Sequence, residues 1–338
     1  LIGTKLFYYV RVYLLFCPVP GQSFCAGDLG SGPSFSRICI LQEIFHMKLV
    51  LCLFGLAVSL GATAQSPVAE GDSLRLISRQ FSFAEGAAVD RKGNVFFTDQ
   101  PNNRIWEYSV EGQLSVFLDS AGRSNGMYFD RRGRLVTCAD EEDQLWAIGP
   151  GKKITVLMRD LGGRRLNGPN DLWIDKGGGI YFTDPYYQRP YWSRTHPDLD
   201  SANVYYLPAG RQQAVVVAGE MKAPNGIVGT PDGRILYVSD LPAGKTYKFT
   251  IGAGGQLSGK VLFVSQGSDG MTLDEEGNVY LTGKGVTVYD PAGKKIAHIP
   301  VPEEWTGNLC FGGKDRKTLF VTASKGLYVL RMRVKGVE

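Results

Sequence analysis

One short pattern recurs six times along this chain, and such recurrence leaves few folds open. The copies read EGAAVDRKGNVFFTD from Glu85, NGMYFDRRGRLVTCAD from Asn125, NDLWIDKGGGIYFTD from Asn170, NGIVGTPDGRILYVSD from Asn225, DGMTLDEEGNVYLTG from Asp269 and NLCFGGKDRKTLFVTA from Asn308. Their starts lie 40, 45, 55, 44 and 39 residues apart. Each copy joins two short apolar segments, rich in β-branched and aromatic residues, through a turn of Asp, Gly, Asn and Lys, which reads as a β-hairpin. Further short strands follow each hairpin, among them RIWEYSV, QLWAIG, VYYLPA and TYKFTI. Four-stranded units repeating at about 40 residues predict an all-β, six-bladed β-propeller, in which radial repetition leaves only short sheet edges. No amphipathic helix is evident in the repeats, and the 43 glycines of the chain suit a fold with many turns. How the last blade closes is left open; residues 65–84 and the final strand GLYVLRMRV are the candidates for completing it.

The repeats are preceded by a segment of another kind. Residues 1–46 contain no methionine, and Met47 opens MKLVLCLFGLAVSLGATAQS, with Lys48, an apolar run and small residues at Ala62 and Ala64. That is the pattern of a secretory signal peptide. The expectation is therefore upstream sequence translated from too early a start over 1–46, a signal peptide over 47–64, and a single propeller over 65–338. Such a protein is exported, to a bacterial periplasm or the medium. The apolar run is too short to span a bilayer, so no membrane anchor is expected. A net charge of +4 over 338 residues makes no electrostatic case for nucleic acid. Beyond the leader only Cys138 and Cys310 remain, in no metal-ligand spacing, and they read as buried free thiols.

In a propeller the innermost strand of each blade runs along the central channel, so one position of the repeat falls on a ring. Here that ring is Glu85, Asn125, Asn170, Asn225, Asp269 and Asn308. Asn-Gly and Asp-Gly are ordinary turn formers, but each repeat already has its hairpin turn further on. The lead residue also varies among Glu, Asn and Asp while always carrying oxygen. Carboxylates and amide oxygens converging on one cavity are costly unless paired. A divalent cation relieves that cost; a hydrated polar ring is the alternative. All-oxygen donors carrying two negative charges suit Ca²⁺, with Mg²⁺ or Mn²⁺ as other divalent candidates. Zinc would call for His or Cys, and neither stands on the ring.

The motifs AEG at Glu85, RLNGPND at 165–171, APNGI at Asn225 and SDGM at Asp269, in this order and spacing, give a chain that resembles the SMP-30/gluconolactonase/LRE-like family from about Phe81 to Val334. The resemblance implies a Ca²⁺-type site made by Glu85, Asn170, Asn225 and Asp269. It also implies that Arg123 and Asn125, in GRSNGM, match an Arg-x-Asn pair that contacts substrate in one branch of the family. Asp171, beside Asn170, is also expected to face substrate. Phosphotriesterase-like members carry a channel histidine in the last repeat, where this chain reads GNLCF with Cys310. That departure moves the reading from organophosphate to lactone hydrolysis.

The chemistry expected is a Ca²⁺-dependent opening of a sugar lactone such as an aldonolactone. The cation would polarise the carbonyl, and Asp269, as the catalytic residue, would accept a proton from the attacking water. A hydroxide on the cation is the other candidate nucleophile, and the sequence does not separate the two. Residues 185–203, PYYQRPYWSRTHPDLDSAN, make the third repeat the longest and are expected to form a lid for a hydroxylated or anionic ligand, with His196 facing substrate. His298 is read as structural and GAGG at 252–255 as a turn. The alternatives are a related hydrolase of another ester or phosphoester, and a non-catalytic propeller that binds a ligand or a protein partner.

Overall fold

The computed structural model describes residues 66–338; the upstream segment 1–46 and the signal peptide expected over 47–64 lie outside the described residues. Six four-stranded antiparallel sheets make up the fold, each with its strands in radial order from the channel outwards. The predicted six-bladed propeller is what forms. The innermost strands of blades 1 to 6 are Ala84–Val89, Ser124–Phe129, Leu172–Ile174, Pro224–Gly229, Met271–Leu273 and Thr306–Gly312. No α-helix occurs among the described residues, and the 252–255 turn holds a short 3-10 segment, Ala253–Gly255.

Hairpin chemistry in the sequence sets each blade. In blade 1 the Asp90 carboxylate accepts the backbone N–H groups of Lys92 and Asn94 at 2.8 and 2.9 Å, which closes the turn between the first two strands. Asp130, Asp274 and Asp290 do the same in their own hairpins. Such side chains hold a turn by standing in for backbone acceptors.

Blade 6 is completed from both candidate segments: Arg75–Ser78 pairs antiparallel with Gly326–Arg331 as its outermost strand. The ring is thereby closed with chain from both sides of the repeats. The apolar cores lie between adjacent sheets, as where Trp173 and Tyr181 of blade 3 meet Ile227, Leu236 and Val238 of blade 4. Cys138 and Cys310 are fully buried free thiols within these layers.

Candidate active site

Every innermost strand starts at the same mouth of the channel, so the residues that open the strands converge there. Glu85, Asn125, Asn170, Asn225 and Asp269 line one cavity of about 220 Å³. Phe83, Gln100, Leu241 and Trp305 complete its wall, and Tyr187 and Arg189 reach it from the insertion.

Asn308, the sixth expected ring member, is not there; Gly307 takes the position. The backbone N–H of Gly270 donates to the Gly307 carbonyl at 2.7 Å, repeating the bond from Gly126 to Asn170 between blades 2 and 3. Asn308 instead matches Asp171. Their N–H groups both donate to a second-strand threonine at 3.1 Å, Thr322 and Thr183 respectively. Their side-chain oxygens both turn back to accept the next backbone N–H, from Leu309 and Leu172. Blades 1, 2 and 4 have the same register break at this point, which sets Thr306 level with Ala84, Ser124 and Pro224; the last repeat therefore begins one residue before the Asn that its sequence match suggests.

The glycine decides where Glu85 sits. A Cβ on Gly307 would stand 2.9 Å from Glu85 Oε2, so the Glu85 carboxyl occupies space that any other residue in blade 6 would fill. Glu85 thus reaches past blade 6 to the Asp269 carboxyl of blade 5. Burial, followed by the charge of Asp269, pushes the Glu85 carboxyl well above the usual carboxylate range. Burial likewise raises Asp269, although the Trp305 indole N–H donates to its Oδ2 at 2.6 Å. Beside them Asn225 Oδ1 is buried with no hydrogen-bond partner, while its Nδ2 reaches the Tyr187 hydroxyl at 3.5 Å.

Two carboxylates held together and an orphaned amide oxygen are acceptors waiting for positive charge. The donor set fits a hard cation that takes oxygen ligands. Among the described residues no three His, Cys, Asp or Glu side chains cluster, so the set is two acids completed by amides.

The other expected site residues divide. Asn125 faces the inner cavity. Arg123 lies in an adjoining outer cavity of about 560 Å³, with its Nη1 on the Pro101 carbonyl at 2.7 Å and its guanidinium 4.5 Å above the Tyr191 ring. Asp171 does not line either cavity; it lies one residue past the ring, where burial pushes its carboxyl up to about 8. His196 is exposed and lines neither cavity. Cys310 packs with Phe81 and Phe97 in the core rather than facing the channel. His298 sits on the outermost strand of blade 5, its Nδ1 at 3.2 Å from the Thr287 hydroxyl.

The insertion lies over the mouth because blade 2 holds it. Arg189 Nε and the Tyr191 hydroxyl both donate to Asp140 Oδ2, the first at 3.1 Å, and the Trp192 indole donates to the Asp140 carbonyl at 2.9 Å. Arg194 binds Asp143 at 2.5 Å and the carbonyls of Leu166 and Asn167. Gln100, Leu241 and Trp305 went unnoticed in the sequence. None stands at the repeat's lead position, and only blade geometry brings them to the cavity. Tyr187 and Arg189 had a signal, the aromatic and arginine content of the insertion.

Residues 83–325 match the family described as SMP-30/Gluconolactonase/LRE-like region. A gluconolactonase of Zymomonas mobilis is 28% identical over 298 residues, covering 78% of this chain and 81% of the relative. A diisopropyl-fluorophosphatase of Loligo vulgaris is 28% identical over 71% of this chain and 85% of its own length. Among solved structures, a Xanthomonas campestris gluconolactonase superposes with a TM-score of 0.74 at 28% identity, over 80% of this chain and 92% of that one.

Proposed function

This chain belongs to the SMP-30/gluconolactonase/LRE-like family, and on that premise we propose that it is a lactonase-type hydrolase that opens a sugar lactone with the help of Ca²⁺. The observation that carries the reading is the set of oxygen acceptors converging on the inner cavity: the Glu85 and Asp269 carboxyls, each with one oxygen already hydrogen-bonded, and the unpartnered Asn225 Oδ1. Glu85, Asn170, Asn225 and Asp269 would hold the ion. When bound, the cation supplies Lewis-acid polarisation of the lactone carbonyl.

The chain's own residues do the rest. Trp305 holds Asp269 by one oxygen at 2.6 Å. The other is left to take the proton of a water attacking the carbonyl carbon. As the ring C–O bond breaks, that proton passes to the departing ring oxygen, and the product is the open hydroxy acid. Phe83, Leu241 and Trp305 wall the cavity with apolar surface and limit other water. Tyr187 and Arg189 close it from above. Export through the leader at 47–64 belongs to the same proposal and rests on its sequence pattern.

The test is metal analysis of the purified protein together with an aldonolactone-hydrolysis screen, with and without chelator. Lactone opening that chelator abolishes and Ca²⁺ restores supports the reading. Opening that survives chelation removes the cation from it. Hydrolysis of an organophosphate ester in place of any lactone would move the protein to the other hydrolase class, and binding without turnover to the non-catalytic one.

A further inference from the structure

The inner and outer cavities adjoin, sharing Phe83, Gln100 and Arg189 in their walls, and they are opposite in charge. The inner one holds two acids. The outer one is lined by two arginines, Arg123 and Arg189, and no carboxylate. Both arginines are anchored from behind, Arg123 on Glu141 at 3.3 Å and Arg189 on Asp140 at 3.1 Å. Arg189 uses only Nε for that contact; among the described residues neither of its Nη atoms has a hydrogen-bond acceptor. Gln100 is 6% exposed, and its Nε2 is buried without a partner. A buried donor left unmet forfeits its hydration without recovering a hydrogen bond. Two unmet donor groups, one of them a guanidinium, therefore flank the passage between the cavities.

We propose that the outer cavity is an oxyanion subsite, in which Arg189 and Gln100 bind a negatively charged group that the substrate carries at the end remote from its reacting carbonyl. This rests on the lactonase reading of the inner cavity. A neutral hydroxyl offers these donors one oxygen and no charge to match the guanidinium. A carboxylate, sulfonate or phosphate oxygen pair accepts from a planar guanidinium and an amide together, with the fork geometry that arginine favours. Such a substrate would lie with its anionic end at the arginines of the outer cavity and its carbonyl toward the acids that would hold the cation.

The experiment compares kcat/KM for a neutral aldonolactone, an aldaric acid monolactone and a 6-phosphorylated aldonolactone. The two charged lactones report which oxyanion the subsite takes. Wild-type protein is expected to favour at least one charged lactone by about tenfold or more, chiefly through KM, since a hydrogen bond to a charged group is worth about 1.5–3 kcal/mol. Gln100→Leu and Arg189→Met should each lower that preference by about tenfold or more, and Arg189→Lys should restore part of it. A preference that stays the same in the variants, however far all rates fall, overturns the subsite, because a structural role would affect every lactone alike. If wild-type protein opens none of the three, the lactonase reading fails, and calorimetry with aldarate against a neutral polyol decides the subsite alone. Aldarate binding lost in both variants supports it, and equal binding of the two ligands overturns it.

Discussion

The innermost strands begin at the mouth that holds Glu85 and Asp269, and they end at the opposite mouth in turns that include Asp90, Asp130, Asp175 and Asp274. Both mouths are rich in acids, yet those acids are spent differently. At the far mouth each of these four carboxylates is occupied by its own turn; Asp130 accepts the N–H groups of Arg132 and Arg134 and also the Arg134 guanidinium at 2.7 Å. That mouth is a cavity of about 290 Å³ walled by Phe129, Trp173 and Val228 and lined with Arg91, Arg131, Lys176 and Arg316, and the chain itself enters it at Val337 and Glu338. At the near mouth the acids face one another and an orphaned amide oxygen. An acid filled by the N–H groups of its own turn holds the fold, and one that faces a second acid where several blades converge is available for chemistry.

The sharpest way to break this contrast is to remove one charge from each kind of acid. Asp269→Asn should lower kcat by about 10²–10⁴-fold, with no rescue at saturating Ca²⁺, because it deletes the proton acceptor. Glu85→Gln, which alters a ligand only, should recover much of its activity at high Ca²⁺. Equal rescue of both would show that Asp269 merely holds the ion, and steady-state kinetics across a Ca²⁺ titration reads the difference.

Gly307→Ala probes how the two near-mouth acids come to meet. The added methyl falls 2.9 Å from Glu85 Oε2, a movable side-chain end, so the fold should survive while the carboxyl is displaced. Cation affinity measured by calorimetry should fall by about 10–100-fold, the range found when groups that orient ligands are disturbed. Unchanged affinity would mean that Glu85 is not a ligand.

The pH response should separate the mouths next. In cation-free protein Glu85 and Asp269 have raised pKa values, so the folded state holds their protons more tightly than the unfolded chain does. Their contribution to stability is fully present below the ordinary carboxylate range and is lost as pH rises through the raised values. Cation-free protein should therefore melt at a lower temperature at pH 8 than at pH 5, and Ca²⁺ should reverse the order because it binds the ionised pair. A melting temperature that ignores Ca²⁺ at pH 8 would contradict this.

The smallest effects belong to acids that hold their own turn or strand end. Asp240 accepts N–H groups from both Lys222 and Ala223, and Asp240→Ala should cost about 1–3 kcal/mol in chemical denaturation by leaving buried donors unmet. Asp130→Ala, which also gives up the Arg134 guanidinium but leaves N–H groups on exposed and half-buried turn residues that water can serve, should cost about 1 kcal/mol and leave cation binding untouched.

Much of this was legible in the chain itself. Strand pairing within a blade is local, set by alternating apolar residues and an Asp-x-x-Gly-type turn, so six repeats announce six blades. Glu85, Asn125, Asn170, Asn225 and Asp269 are at fixed repeat positions and fell on the ring as expected. What the pattern misassigned depends on one residue of alignment: the last repeat has Gly307 at the ring position, and its Asn308 stands one residue further on, level with Asp171. It also misplaced Asp171 and His196, because which side of a strand or loop faces a cavity is not written in residue type. Gln100, Trp305 and Arg189 meet the ring only after blades distant in sequence close around one axis. Local hydrogen bonding, which a sequence encodes through neighbours, determined the repeat and its turns; convergence across the channel, which joins residues more than a hundred positions apart, was decided by the tertiary structure alone.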